Sequence, residues 1–123
     1  ARGRDLIERC GEAIAIYSGD DPTAMELILA GGHGNISVTS NVAPALMAEL
    51  CRLALAGDRA GAQAINERLT ALNKALFLEA NPIPVKWALQ HRGLIEEGIR
   101  LPLTVLDEQY HAAVVTAMEA AGV

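Results

Sequence analysis

Residues 13–22 read Ala13-Ile14-Ala15-Ile16-Tyr17-Ser18-Gly19-Asp20-Asp21-Pro22, and the order of residue types in this run decides the fold. The apolar, partly β-branched stretch at 13–17 is too short for a helix and shows no polar alternation, the pattern of a strand covered on both faces. Asp21-Pro22 then opens a helix: the carboxylate can accept from unpaired N–H groups, and proline fits the first turn. That helix carries Met25, Ile28 and Leu29 and stops at Gly31-Gly32. Ile36-Ser37-Val38-Thr39 reads as a second strand. Strand, helix and strand in this order make a parallel βαβ unit.

Downstream the pattern is helical. Pro44 lies in the first turn of a helix running to Ala56, with Leu46, Leu50, Leu53 and Ala54 on one side. Gly57 ends it and Asp58 can cap the next. There Ala62, Ile65, Leu69, Leu72 and Leu76 recur at steps of three and four, the helical period. Asn81-Pro82-Ile83-Pro84 breaks this pattern, and a shorter helix follows through Trp87 to about Arg92. Beyond Pro102 a last helix carries Tyr110, Ala113, Val114, Ala117, Met118 and Ala121 as its apolar stripe. The sequence therefore divides at residue 56: strand–helix units over 1–56, a helical domain over 57–123.

Two parallel strands do not make a stable sheet, because parallel sheets need several strands with both faces covered. The chain also opens Ala1-Arg2-Gly3-Arg4 without an initiator methionine, with Leu6, Ile7 and Cys10 already sharing a helical face. The expectation is the C-terminal end of a larger α/β protein. In a (β/α)8 TIM barrel the inventory fits the last two β/α units plus a C-terminal helical domain.

Composition excludes several classes of function. Ten basic residues against fifteen acidic ones leave a formal charge of −5. No concentrated positive face for a nucleic-acid backbone or an anionic membrane is expected. No apolar run reaches the roughly 18 residues that a membrane span needs, and no secretory signal is evident. Cys10 and Cys51 form no CxxC pair or zinc-spaced cluster. They read as buried thiols of a reduced, cytoplasmic protein, and no metal or cofactor is expected.

Three stretches carry candidate chemistry. Ser18-Gly19-Asp20-Asp21 follows the carboxyl end of the first strand, the end that bears the active site in α/β barrels. Glycine there lets backbone approach a small ligand; the same run also reads as a tight turn and cap. Gly31-Gly32-His33-Gly34-Asn35 precedes the second strand and reads as a helix C-cap and turn. Residues 36–44 lead from the second strand into the next helix, where a pocket wall and a helix cap are both open readings. His33 reads as a surface or turn histidine, and His91 and His111 lie on late helices without carboxylate partners at metal spacing. Lys74 and Lys86 are the two lysines, and neither falls at the end of a strand, where a Schiff-base amine would project into a closed pocket.

The runs at 17–21 and 31–44, the latter Gly-Gly-His-Gly-Asn-Ile-Ser-Val-Thr-Ser-Asn-Val-Ala-Pro, resemble the 4-hydroxy-tetrahydrodipicolinate synthases, also called dihydrodipicolinate synthases. So do Leu76–Leu89, with the discriminating Asn81-Pro82-Ile83-Pro84-Val85-Lys86-Trp87, and Ile99–Thr104. The resemblance extends in order and spacing over essentially the whole chain. It departs at Ser40, where the family usually has alanine.

The resemblance implies a (β/α)8 barrel with a helical extension, assembled as a homotetramer. It implies a class I aldolase-type lyase condensing pyruvate with L-aspartate 4-semialdehyde through a lysine Schiff base, the entry to diaminopimelate and lysine. Ile36 corresponds to a pyruvate-contacting isoleucine and Gly19 to a pocket glycine, with Asp20 and Asp21 beside them as substrate-binding candidates. No catalytic residue is expected in this chain: the Schiff-base lysine, proton relay and carboxylate-binding arginine belong upstream, and Tyr17 and Tyr110 do not match the relay. The 123 residues alone are expected to be inactive. Two alternatives remain: a related pyruvate-dependent sugar-acid aldolase, and a non-catalytic helical assembly module.

Overall fold

The computed structural model describes residues 2–123; Ala1, where the first expected domain begins, lies outside the described residues. Among the described residues, six α-helices and two short strands follow in the order α1 (Arg2–Cys10), β1 (Tyr17–Ser18), α2 (Asp21–Leu29), β2 (Gly34–Asn35), α3 (Pro44–Leu55), α4 (Arg59–Ala75), α5 (Ile83–His91) and α6 (His111–Ala121). The chain forms two compact units. One takes the residues through Ser37 together with Ala45–Glu67, and the other takes Val38–Pro44 with Arg68–Val123.

The first unit holds the βαβ element. β1 and β2 pair in parallel, with Tyr17 opposite Gly34 and Ser18 opposite Asn35. Two further bonds continue the ladder, from the His33 N–H to the Ile16 carbonyl at 2.7 Å and from the Ile36 N–H to the Ser18 carbonyl at 2.8 Å. α2 returns the chain between them and buries Ala24, Met25 and Ile28, while α3 buries Met47, Leu50 and Ala54. The exposed Arg59 guanidinium meets the Glu26 carboxylate through two nitrogens, joining the start of α4 to α2. That hydrogen-bonded cation holds the Glu26 carboxyl below the usual carboxylate range.

Both strands are shorter than the sequence implies, and the second is displaced. The expected strand at 13–17 is realised only at its end, since Ala13 closes a 3-10 turn and pairing starts at Tyr17. The expected strand at 36–39 is replaced by β2 at Gly34–Asn35, within the stretch read as a turn. Register explains the shift. A strand exists where a neighbour supplies the ladder, and Tyr17–Ser18 lies beside Gly34–Asn35. Gly34 suits that place: its φ of 155° is open to glycine, and a Cβ would sit 3.2 Å from the Tyr17 ring. Beyond Ile36 the chain leaves the extended region, and Thr39–Asn41 forms a 3-10 turn despite β-branched residues at 36, 38 and 39.

The second unit is helical. Leu69, Leu72 and Leu76 of α4 and its continuation are fully buried, as their spacing requires. Val114, Ala117, Met118 and Ala121 form the buried stripe of α6, but Ala113 is exposed and Tyr110 is half-buried ahead of the helix. Arg68 donates to the Ala121 carbonyl at 3.0 Å, satisfying a group that the helix end leaves free. Within the turn at 38–44, the Thr39 hydroxyl donates to Asn73 Oδ1 at 2.7 Å, with Thr39 at 0% and Asn73 at 4% exposure. The Arg92 guanidinium donates to the Val42 carbonyl.

Helix starts and stops follow local chemistry. The Asp58 carboxylate accepts from the Gly61 N–H at 2.9 Å and so caps α4. α5 begins at Ile83 with Pro84 in its first turn. α1 forms where Leu6, Ile7 and Cys10 share a face, yet none of its described side chains is fully buried. Cys10 and Cys51, expected to be buried, are half-buried free thiols. Among the described residues, no helix is long and apolar enough to cross a membrane.

Candidate functional site

Because β1 and β2 run parallel, their carboxyl ends face the same way, and the candidate residues gather there. The loop Gly19-Asp20 leaves β1 and enters α2 at Asp21, while Ile36 follows β2 directly. The crevice outside the carboxyl ends of parallel strands is the general ligand position of α/β folds.

Ser18 anchors the loop from below. Its hydroxyl donates to the Asp20 carbonyl and accepts from the Asp20 N–H, both at 3.1 Å. Gly19 is exposed, and a Cβ built on it meets nothing within 4 Å. The space above this backbone is open. Ile36 is 72% exposed, a large apolar side chain left uncovered at the end of a strand.

The two aspartates differ in environment. Asp20 is exposed and occupies the N-cap position of α2, one residue earlier than the cap expected at Asp21. Its carboxylate accepts from the Thr23 hydroxyl at 2.6 Å in place of a helix N–H. Asp21 is only 4% exposed and accepts from Asn35 Nδ2 at 2.7 Å. A buried carboxylate needs such donors to retain its charge. Burial pushes the half-buried Cys51 thiol above its usual range, and the nearby Asp21 charge adds to that rise.

The structure thus brings Gly19, Asp20, Asp21 and Ile36 to one edge. Sequence reading missed Asn35, taken as the last residue of a turn, because its partner lies fourteen positions away. It also missed the part played by His33: the Ile16 N–H donates to His33 Nδ1 at 3.0 Å. The rings of His91 and His111 both stack on Trp87, with centroids at 5.0 Å and 4.2 Å, contacts that the sequence reading did not foresee. Spacing alone gives no signal for such contacts. Among the described residues, no group of three or more His, Cys, Asp or Glu side chains is placed to hold a metal ion. Lys74 is exposed on α4 and Lys86 half-buried on α5.

A parallel strand–helix–strand unit with the candidate residues at the carboxyl ends of its strands places the chain in the α/β class. The chain belongs to the dihydrodipicolinate synthetase family, which its sequence matches over residues 2–121. It is 62% identical over 122 residues to a 4-hydroxy-tetrahydrodipicolinate synthase of Thioalkalivibrio sulfidiphilus, covering 99% of this chain and 42% of that relative. To the synthase of Pseudomonas aeruginosa it is 59% identical over the same length, again covering 42% of the relative. The chain therefore spans less than half the length of these proteins. Among solved structures, it superposes with a TM-score of 0.96 and 52% identity on a chloride-inhibited dihydrodipicolinate synthase of Acinetobacter baumannii described as complexed with pyruvate, covering 98% of this chain and 42% of that one. With the Aquifex aeolicus dihydrodipicolinate synthase the TM-score is 0.93 at 37% identity, covering 98% of this chain and 41% of that one.

Proposed function

We propose that this chain supplies one wall of the pyruvate pocket in a longer synthase polypeptide that condenses pyruvate with L-aspartate 4-semialdehyde. In this reading residues 1–56 are the last two strand–helix units of a (β/α)8 barrel, and residues 57–123 are its C-terminal helical domain. The nucleophile is a lysine outside these residues. It forms a Schiff base with the pyruvate carbonyl; loss of a methyl proton gives an enamine, whose carbon attacks the aldehyde. The complete enzyme works as a homotetramer in the cytoplasm.

The observation that carries the reading is the 0.96 TM-score, at 52% identity, to a synthase described as complexed with pyruvate. The edge geometry supports it. Gly19 and Ile36 directly follow the paired residues Ser18 and Asn35, so a small keto acid at the carboxyl ends of the strands would meet both the glycine backbone and an apolar flank. Asp20 and Asp21 border the same edge, Asp20 open to solvent and Asp21 enclosed. An enamine requires exclusion of water and fixed geometry, which a completed barrel would provide.

Assaying the longer polypeptide with pyruvate and a panel of aldehydes tests this. Condensation is expected with L-aspartate 4-semialdehyde and far less with sugar-derived aldehydes. Turnover confined to sugar-acid substrates would overturn the substrate assignment.

A further inference from the structure

We propose that Asn35 is a positioning residue of this pocket: by holding Asp21 it sets the spacing between the Gly19–Asp21 loop and Ile36. The inference rests on the pyruvate-pocket reading above and adds to it a residue that touches no substrate.

Asn35 is the last residue of β2, and Asp21 is the first of α2. The 2.7 Å bond from Asn35 Nδ2 to Asp21 Oδ1 therefore ties the two segments that bear all four candidate substrate residues. Successive side chains of a strand point to opposite faces. Asn35 is accordingly half-buried toward α2 and α3, its Nδ2 3.7 Å from Met47 Sδ, whereas Ile36 is exposed. Asn35 acts from behind the wall that Ile36 presents.

The chemistry of the pair requires an amide donor. Asp21 is buried, so removing one of its donors costs more than losing a solvent-exposed bond would. The Asn35 Oδ1 atom is itself buried and has no hydrogen-bond partner. An unpaired buried carbonyl costs free energy that an apolar side chain would not incur. The donor end of the amide is the end that the structure uses.

The test compares wild type, Asn35→Leu and Asn35→Asp in the longer polypeptide, reading kcat, pyruvate KM and the pyruvate adduct trapped by borohydride. Asn35→Leu is expected to raise pyruvate KM about tenfold, with kcat within about twofold and the adduct still formed. In Asn35→Asp the new carboxyl can donate to Asp21 only when protonated. The ratio of its pyruvate KM to that of wild type at the same pH should be near one at acid pH and climb as pH rises. Should Asn35→Leu fail to fold, this pH profile decides alone. Unchanged KM in Asn35→Leu, or a pH-independent ratio of the Asn35→Asp KM to the wild-type KM, overturns the inference while wild-type adduct formation leaves the pocket reading standing. No adduct in wild type overturns that reading, and this inference with it.

Discussion

His33 holds both backbone groups of Ile16: the Ile16 N–H donates to His33 Nδ1 at 3.0 Å, and the His33 N–H donates to the Ile16 carbonyl at 2.7 Å. An accepting Nδ1 places the proton of the neutral ring on Nε2. The imidazole thereby extends a two-residue ladder by one residue, using a side chain where a strand would use backbone. His33→Ala should destabilise the fold by about 1 kcal/mol, the net worth of one such bond. Amide exchange at Ile16 should accelerate selectively; unchanged exchange there would contradict the pairing.

Thr39 and Asn73 make a wholly buried polar pair. Thr39→Val keeps the shape but removes the donor and strands Asn73 Oδ1, at a cost of about 1–3 kcal/mol. Thr39→Ser keeps the donor and should cost less. Denaturant unfolding of both variants checks the order, and a larger loss in Thr39→Ser than in Thr39→Val would assign the effect to packing of the methyl group.

Cys51 should behave as a sluggish thiol. Burial raises its pKa first and the Asp21 charge second. A folded-state value above the unfolded one makes a contribution that is complete below the ordinary thiol pKa and is lost as pH rises through the elevated one. Stability should therefore fall over alkaline pH, and Cys51→Ala should remove that part of the fall. The pH midpoint of Cys51 alkylation, measured with Cys10 replaced by serine, should lie above that of a free thiol and drop in Asp21→Asn. A midpoint unmoved by Asp21→Asn would remove the electrostatic part of this account.

Gly19→Val separates binding from folding. The backbone φ of Gly19 lies outside the region reserved for glycine, and a Cβ there meets nothing within 4 Å. The substitution should leave the melting temperature within a few degrees while filling the space proposed for pyruvate. Pyruvate KM in the longer polypeptide should rise. Wild-type kinetics in Gly19→Val would count against the pocket assignment.

Local rules made the helices legible. Asp58 caps α4 as its place after Gly57 implies, and Leu69, Leu72 and Leu76 are buried as their spacing demands. The strands were legible as a parallel βαβ order but not in extent, because their limits depend on the neighbour across the ladder. Gly34-Asn35 carries two weak strand formers and still pairs. At the candidate site, position and resemblance single out Gly19 and Ile36, and both lie at the carboxyl ends of the paired strands. Asn35 and His33 are not singled out, since each acts through a side-chain bond to a residue fourteen or more positions away. The stacking of His91 and His111 on Trp87 was hidden for the same reason.

The central claim is that these residues form a wall for a substrate whose reactive amine lies elsewhere in the polypeptide. Borohydride reduction in the presence of pyruvate, followed by peptide mapping of the longer polypeptide, tests it most directly. The account predicts a single modified lysine outside residues 1–123 and no adduct on the 123-residue chain alone. A pyruvate adduct on Lys74 or Lys86 would contradict it.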